Sequence, residues 1–272
     1  MDNKFFLGAE NILFTITVVL YIISMLSFFI HVIGKNEKFG IIATLPLKVG
    51  FALHTLAIIF RGIGAQRLPL SNQYEFATAF SWGIVLFYLI FEKSHKDKTL
   101  GAFITPFAFL LIGYAAMQNK EVRPLMPALQ SGWLGIHVTM AIFSYGSFAL
   151  ACGLSMMYLF NVDRREQSGP SLEQLDDYSY KAITIGYVLL TLTIITGALW
   201  AQKAWGRYWA WDPKETWSLV TWFIYTAYLH MRKTSKMKGK KAARFAVIGF
   251  ICVIFTYIGV NTLLPSLHSY VM

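Results

Sequence analysis

Six of the eight tryptophans of this chain fall between residues 200 and 222: Trp200, Trp205, Trp209, Trp211, Trp217 and Trp222. The segment reads WAQKAWGRYWAWDPKETWSLVTW. Indoles offer large, rigid, flat apolar faces with one N–H donor each. Their complement is a porphyrin, a quinone or a stretch of acyl chain. The competing account is an aromatic belt at a membrane interface. A belt draws on both interfaces and several helices, however, whereas here one connection takes most of the tryptophan, which favours a specialised surface. Asp212-Pro213, followed by Glu215 and Thr216, reads as a helix start. Pro213 suits the first turn and Asp212 the cap, a structural role that stands beside any chemical one for Asp212.

Histidine is the second chemistry-bearing type, with six copies. His137 lies in GWLGIHV, at the start of an apolar stretch, and His268 in LLPSLHSY, just after the last one. Neutral imidazole is a good iron ligand. Two imidazoles arriving on the same side as an indole platform would suit axial ligation of a haem. Either alone reads more simply as an interfacial residue. His230, in YTAYLHMRK, closes another stretch at its opposite end, and His54 lies within the second. His54 is about six residues from Lys48, ~9 Å along a helix. An intramembrane histidine needs a partner, so His230 and His54 could build a second, inner site. A hydrogen bond to a neighbouring helix explains His54 equally well. His31 and His95 read as ordinary interfacial residues.

These residues need elements to hold them, and composition names the kind. The chain has 272 residues, 56% of them hydrophobic, and its 24 Lys and Arg with 14 Asp and Glu make only 14% charged. Soluble domains carry roughly 25%. A water-soluble globule, a disordered chain, a collagen and a coiled coil are excluded. Apolar stretches fall at about 12–33, 40–60, 75–92, 99–117, 132–161, 183–201, 216–231 and 245–264. A membrane helix takes about 20 apolar residues, so the expected fold is an all-α polytopic membrane bundle of about eight spans. It forms a single integral membrane domain over 1–272.

Basic residues set the orientation. One set of connections holds Lys35, Lys38, Lys48, Lys93, Lys96, Lys98, Arg164, Arg165, Lys181 and the seven-residue basic set at 232–244, sixteen in all. The other holds eight: Lys4, Arg61, Arg67, Lys120, Arg123, Lys203, Arg207 and Lys214. The bias puts both termini outside the cytoplasm, and with them His137, His268 and the Trp-rich segment. The surplus of ten positive charges is a topology signal, and the run at 232–244 faces anionic lipid and not nucleic acid. Cys152 and Cys252 lie in apolar runs with no CxxC, so dithiol exchange is not expected of this chain.

WGRYWAWDPKETW resembles the tryptophan-rich signature of the haem-handling WWD proteins. With eight spans, the chain resembles the CcsA family within that group, also called ResC, of system II cytochrome c maturation. RLPLSNQYEF at 67–76, WLGIHV at 133–138, YTAYLHMR at 225–232 and GVNTLLPSLHSY at 259–270 look like CcsA segments in CcsA order. The resemblance implies that haem b moves from the cytoplasmic side to an outer site, where it is joined to apocytochrome c. It implies His137 and His268 as ligands of the outer haem iron beside Trp205, Trp209, Trp211 and Asp212, and His230 as ligand of an inner haem. The second inner ligand would come from a CcsB partner, also called ResB, unless His54 supplies it. The membrane is then the bacterial cytoplasmic or the thylakoid membrane, and thiol-reducing proteins are further partners. The resemblance implies haem lyase activity with CcsB. A haem exporter or handover chaperone without bond formation is the alternative. A quinone-binding redox subunit would keep the indoles but have no use for His137 and His268.

Overall fold

Inside hydrocarbon each backbone N–H and C=O must pair within the chain, which an apolar run achieves by becoming a helix. The computed structural model describes residues 3–162 and 169–264, and among them every regular element is helical. Each of the first seven apolar stretches falls on one helix, and the eighth on the continuous helical run Gly239–Leu263. Among the described residues six helices are long and apolar enough to cross a membrane: α1 (Asn3–Gly34), α2 (Glu37–Ala65), α3 (Gln73–His95), α5 (Gly132–Asn161), α6 (Leu172–Trp205) and the continuous run Gly239–Leu263. α4 (Gly101–Ala116) is apolar but has only 16 residues, ~24 Å of helix. α7 (Pro213–Thr234) carries Lys214, Glu215, Arg232 and Lys233 at its ends, which leaves a short apolar middle. The run after it comprises α8 (Gly239–Ile254), one π-helical turn (Phe255–Gly259) and α9 (Val260–Leu263). The protein is an all-α polytopic membrane bundle.

The chain forms two compact units, Met1–Pro124 and Leu125–Met272. In the first, α1 buries Glu10, Phe14, Thr17, Tyr21, Ser24, Phe28 and His31, a three-and-four spacing that makes one narrow stripe. α2 answers with Gly40, Ala43, Leu47, Gly50, His54, Ala57, Arg61 and Gly64. The two run antiparallel, with Ser24 Oγ donating to the Ala43 carbonyl at 2.9 Å. A Cβ on Gly50 would stand 2.9 Å from the Tyr21 ring, so close approach here requires glycine.

At the far end of that pair sits a buried knot of charge. Glu75 accepts from Arg61 Nε at 3.1 Å, from Arg67 Nη1 at 2.7 Å and Nη2 at 3.0 Å, and from the Ser71 amide at 2.9 Å. Its own amide donates to the Asn72 side chain that caps α3. Tyr74 donates to Glu10, and Arg61 Nη1 reaches the Lys120 carbonyl at 2.8 Å. Five of these residues, Arg67, Ser71, Asn72, Tyr74 and Glu75, come from the single stretch RLPLSNQYEF.

In the second unit α5 is central, with 83% of its most apolar window buried. α6 lies antiparallel to it, and small polar side chains bond across to backbone carbonyls. Ser144 Oγ donates to Gly186 O and Ser147 Oγ to Ala182 O, both at 2.8 Å, and Ser179 Oγ to Ala151 O at 3.2 Å. As α5 advances by three and then four residues, α6 steps back by four and then three, the signature of a fixed antiparallel register. Gly186 allows this approach, since a Cβ there would meet the Phe148 ring at 2.7 Å. Such small-residue contacts bring membrane helices together where no hydrophobic effect drives them.

Candidate functional site at the Trp-rich end of the second unit

His137 occupies the second turn of α5, whose N-cap Ser131 accepts from the Trp133 amide. Its Nδ1 stands 2.8 Å from the Thr193 carbonyl on α6. A carbonyl only accepts, so Nδ1 carries the hydrogen, and in the neutral ring Nε2 holds the lone pair. The ring is half-buried. Trp200 lies nearly parallel to it, at 15° and 5.9 Å between centroids. Trp200 is itself buried, and its Nε1 donates to the Ala128 carbonyl at 2.9 Å. Trp205 then meets Trp200 edge-on at 4.8 Å.

The loop that follows is built by caps. Gly206, at φ 75°, ends α6 in the left-handed conformation that favours glycine. Asp212 caps α7, accepting from the Lys214 amide at 2.9 Å, with Pro213 at the first turn. The cap read from the sequence is therefore present. Glu215 Oε2 accepts from the Ala210 amide at 2.7 Å and the Asp212 amide at 3.2 Å. Those two bonds bracket Trp211, held at φ 57° with 68% of its surface exposed. A bulky residue in that region is strained by about 1–3 kcal/mol and persists only where its surroundings enforce it. Trp209 meets Trp211 edge-on at 5.6 Å. Among the described residues, Trp209 Nε1 is a buried donor with no hydrogen-bond partner. Lys214 Nζ reaches Asn261 of α9 at 2.8 Å, and burial pushes its amine down to about 8 against the opposing pull of Asp212. The end of the last helix thus stands beside the start of α7.

His230 is exposed near the end of α7, ~26 Å along the axis from Pro213. His54 is fully buried in the first unit, with Nδ1 3.1 Å from the Tyr21 hydroxyl and Nε2 without a partner among the described residues. His268 lies outside the described residues. His31 and His95 each place Nδ1 3.1 Å from a nearby backbone carbonyl; His95 is exposed, whereas His31 is buried and more enclosed than the interfacial position expected of it.

The family model of cytochrome c assembly proteins matches residues 70–268, which takes in His137, the Trp-rich loop, His230 and His268 but not His54. Curated relatives carry the name cytochrome c biogenesis protein CcsA. That of Chlamydomonas reinhardtii is 37% identical, over 86% of this chain and 70% of its own. That of Mesostigma viride is 35% identical over 96% of each chain. A Prochlorococcus marinus relative is 33% identical over 88% of this chain and 86% of its own. The chain belongs to the CcsA family. Its work lies in cytochrome c maturation, and it is an integral membrane protein. A solved structure, the cytochrome c heme lyase CcmF, superposes with a TM-score of 0.76 over 98% of this chain at 14% identity. That likeness is one of fold, and the chain spans 48% of the CcmF chain.

Against the family assignment, three residues of this site were invisible as a set in the sequence: Thr193, Gly197 and Trp200. Their spacing of four and three puts them on one face of α6, and that spacing was the available signal. Without the register of α5 against α6, nothing directed it at His137.

Glu215 gives a local test. Glu215→Ala removes both bonds that bracket Trp211 and half of the α7 capping box. It is expected to lower stability by about 1–2 kcal/mol and to shift the tryptophan emission toward that of solvated indole. Glu215→Gln retains the acceptor and should stay near the parent in both. Equal behaviour of the two variants would remove the capping account of Trp211.

Proposed function

We propose that this chain is the haem-handling subunit of a cytochrome c synthase, presenting haem b on the extracytoplasmic face for covalent attachment to apocytochrome c. The observation that carries the reading is the His137 ring: its Nδ1 is engaged by the Thr193 carbonyl, so the neutral imidazole directs Nε2 as a donor atom. Around it stand the Trp200–Trp205 pair, and the same connection carries Trp209 and the exposed face of Trp211. Imidazole, flat indole faces and an unpartnered Trp209 N–H fit the chemistry of an iron porphyrin with polar edge groups. A quinone has no need of the imidazole.

Haem here is substrate. His137 is one axial ligand and His268 the second, with Trp205, Trp209 and Trp211 against the macrocycle and Asp212 shaping the loop. The thiols come from the CxxCH segment of apocytochrome c. Each S–H adds across a haem vinyl group: sulfur bonds to one vinyl carbon, hydrogen goes to the other, and no external oxidant or reductant is consumed. The chain contributes orientation, holding vinyl carbon near sulfur. The apocytochrome histidine then displaces one protein imidazole, which gives a release step. Asp212 and Glu215 are committed to capping, so neither serves as acid or base in this mechanism.

Haem reaches the inner side at His230. Its exposure on α7 supports a site completed by another chain, and a CcsB-type subunit is the partner this reading takes. His54 is buried with Nδ1 3.1 Å from the Tyr21 hydroxyl, so this reading takes the second inner ligand from the partner. Both termini and the Trp-rich loop are extracytoplasmic, in a bacterial cytoplasmic or a thylakoid membrane.

The test uses the purified complex with its partner, haem and an apocytochrome carrying CxxCH. The expected product is haem that stays on the cytochrome through acid-acetone extraction, and none when both thiols are replaced by serine. Haem bound and passed on without any covalent adduct would replace the synthase by a handover chaperone.

A further inference from the structure

We propose that the inner face of α6, through the Thr193 carbonyl, Gly197 and Trp200, is the device that aims His137 at its ligand. The inference rests on His137 as an axial ligand and adds which residues position it. Three independent contacts converge on one ring. The Thr193 carbonyl takes the Nδ1 hydrogen at 2.8 Å. A Cβ at Gly197 would stand 2.8 Å from His137 Cε1 and Nδ1, closer than real Cβ atoms come, so the ring fills the space that only glycine leaves. Trp200 lies flat beside it at 15°, anchored by its bond to the Ala128 carbonyl.

The His137–Thr193 bond is also the outermost rung of the α5–α6 ladder. Residue 137 stands opposite 193 as 144 stands opposite 186, 147 opposite 182 and 151 opposite 179. The rungs below are serine hydroxyls, a contact general to membrane helix pairs. At the top the same position carries an imidazole, and the register that joins the helices fixes its azimuth and tautomer. A metal-ligating histidine depends on such an outer partner, and loss of one typically costs about 10- to 100-fold in affinity or activity. Thr193 supplies its backbone oxygen, so the residue type at 193 is not itself the requirement. The side chain at 197 is, because only its absence lets the ring sit there.

The experiment compares Gly197→Ala, Trp200→Leu and His137→Gly in the complex purified with its partner. Gly113→Ala is the control, since a Cβ there meets nothing within 4 Å. Soret absorption, haem content and reduction potential are read together with helicity and Tm. Gly197→Ala is expected to keep helicity and lose haem affinity by roughly 10-fold or more, with added imidazole restoring little of the Soret band because the new Cβ closes the space an imidazole would take. Trp200→Leu introduces no clash, so it decides the matter if Gly197→Ala does not fold. It is expected to shift the reduction potential. Should His137→Gly remove the outer haem's share of the Soret band while Gly197→Ala and Trp200→Leu leave spectrum and potential at parental values, the positioning role is overturned and the ligand assignment survives. Should His137→Gly itself leave the spectrum unchanged, the ligand reading falls first.

Discussion

His137→Gly, purified with its partner subunit, is expected to arrive without its outer haem, and millimolar imidazole is expected to restore the Soret band. The restoration is the informative half. Deleting the side chain leaves a gap of imidazole shape bounded by the Thr193 carbonyl, the bare Gly197 and the face of Trp200. A diffusing imidazole can enter that gap, donate to the same carbonyl and offer its other nitrogen to iron. His137→Ala should be rescued less well, since a methyl group then occupies part of the space. On the proposed reading His268→Gly behaves in the same way, whereas His230→Gly acts at the inner side and leaves the outer signal in place until supply fails. His95→Gly, at a histidine outside the proposed site, is the control and should leave the spectrum unchanged. A His137→Gly protein with the parental spectrum, or one emptied of haem and indifferent to imidazole, would remove His137 from the iron.

The helices were legible because apolar runs near twenty residues leave a membrane chain few other forms. The cap at Asp212 was legible because Asp-Pro with Glu three residues later has local meaning. What escaped the sequence was whatever depends on register. His137 carried a strong signal through its residue type, but Thr193 enters through a backbone oxygen and Gly197 through a side chain it lacks. Neither can be weighed until α5 and α6 are aligned. His54 shows the reverse case. Its type and depth invited a ligand role, yet the Tyr21 hydroxyl at 3.1 Å and complete burial depend on how α1 meets α2. Trp211 was legible as an exposed indole but not as a strained one, because its left-handed backbone is imposed by a glutamate four residues on.

The segment RLPLSNQYEF illustrates how a motif can mark architecture instead of chemistry, and it yields the largest expected loss of stability. Glu75→Ala leaves Arg61 and Arg67 without their shared carboxylate. The Glu75 side chain is 0% exposed, that of Arg61 4% and that of Arg67 12%, so neither guanidinium can turn readily to water. Glu10 approaches Arg61 only at 4.0 Å and is itself engaged by Tyr74, which makes it a poor substitute. Removing one partner of a buried pair costs about 3–5 kcal/mol because the remaining charge is uncompensated. At about 2–4 °C per kcal/mol for a chain of this size, Tm in detergent should fall by roughly 10 °C. The loss should lie in the orphaned charge and not in the missing carboxylate as such. Glu75→Ala combined with Arg67→Met should therefore be more stable than Glu75→Ala alone, although it carries one more substitution. If the double variant instead falls further, by the sum of the two single losses, the knot is a set of independent contacts and the stretch at 67–76 needs another explanation.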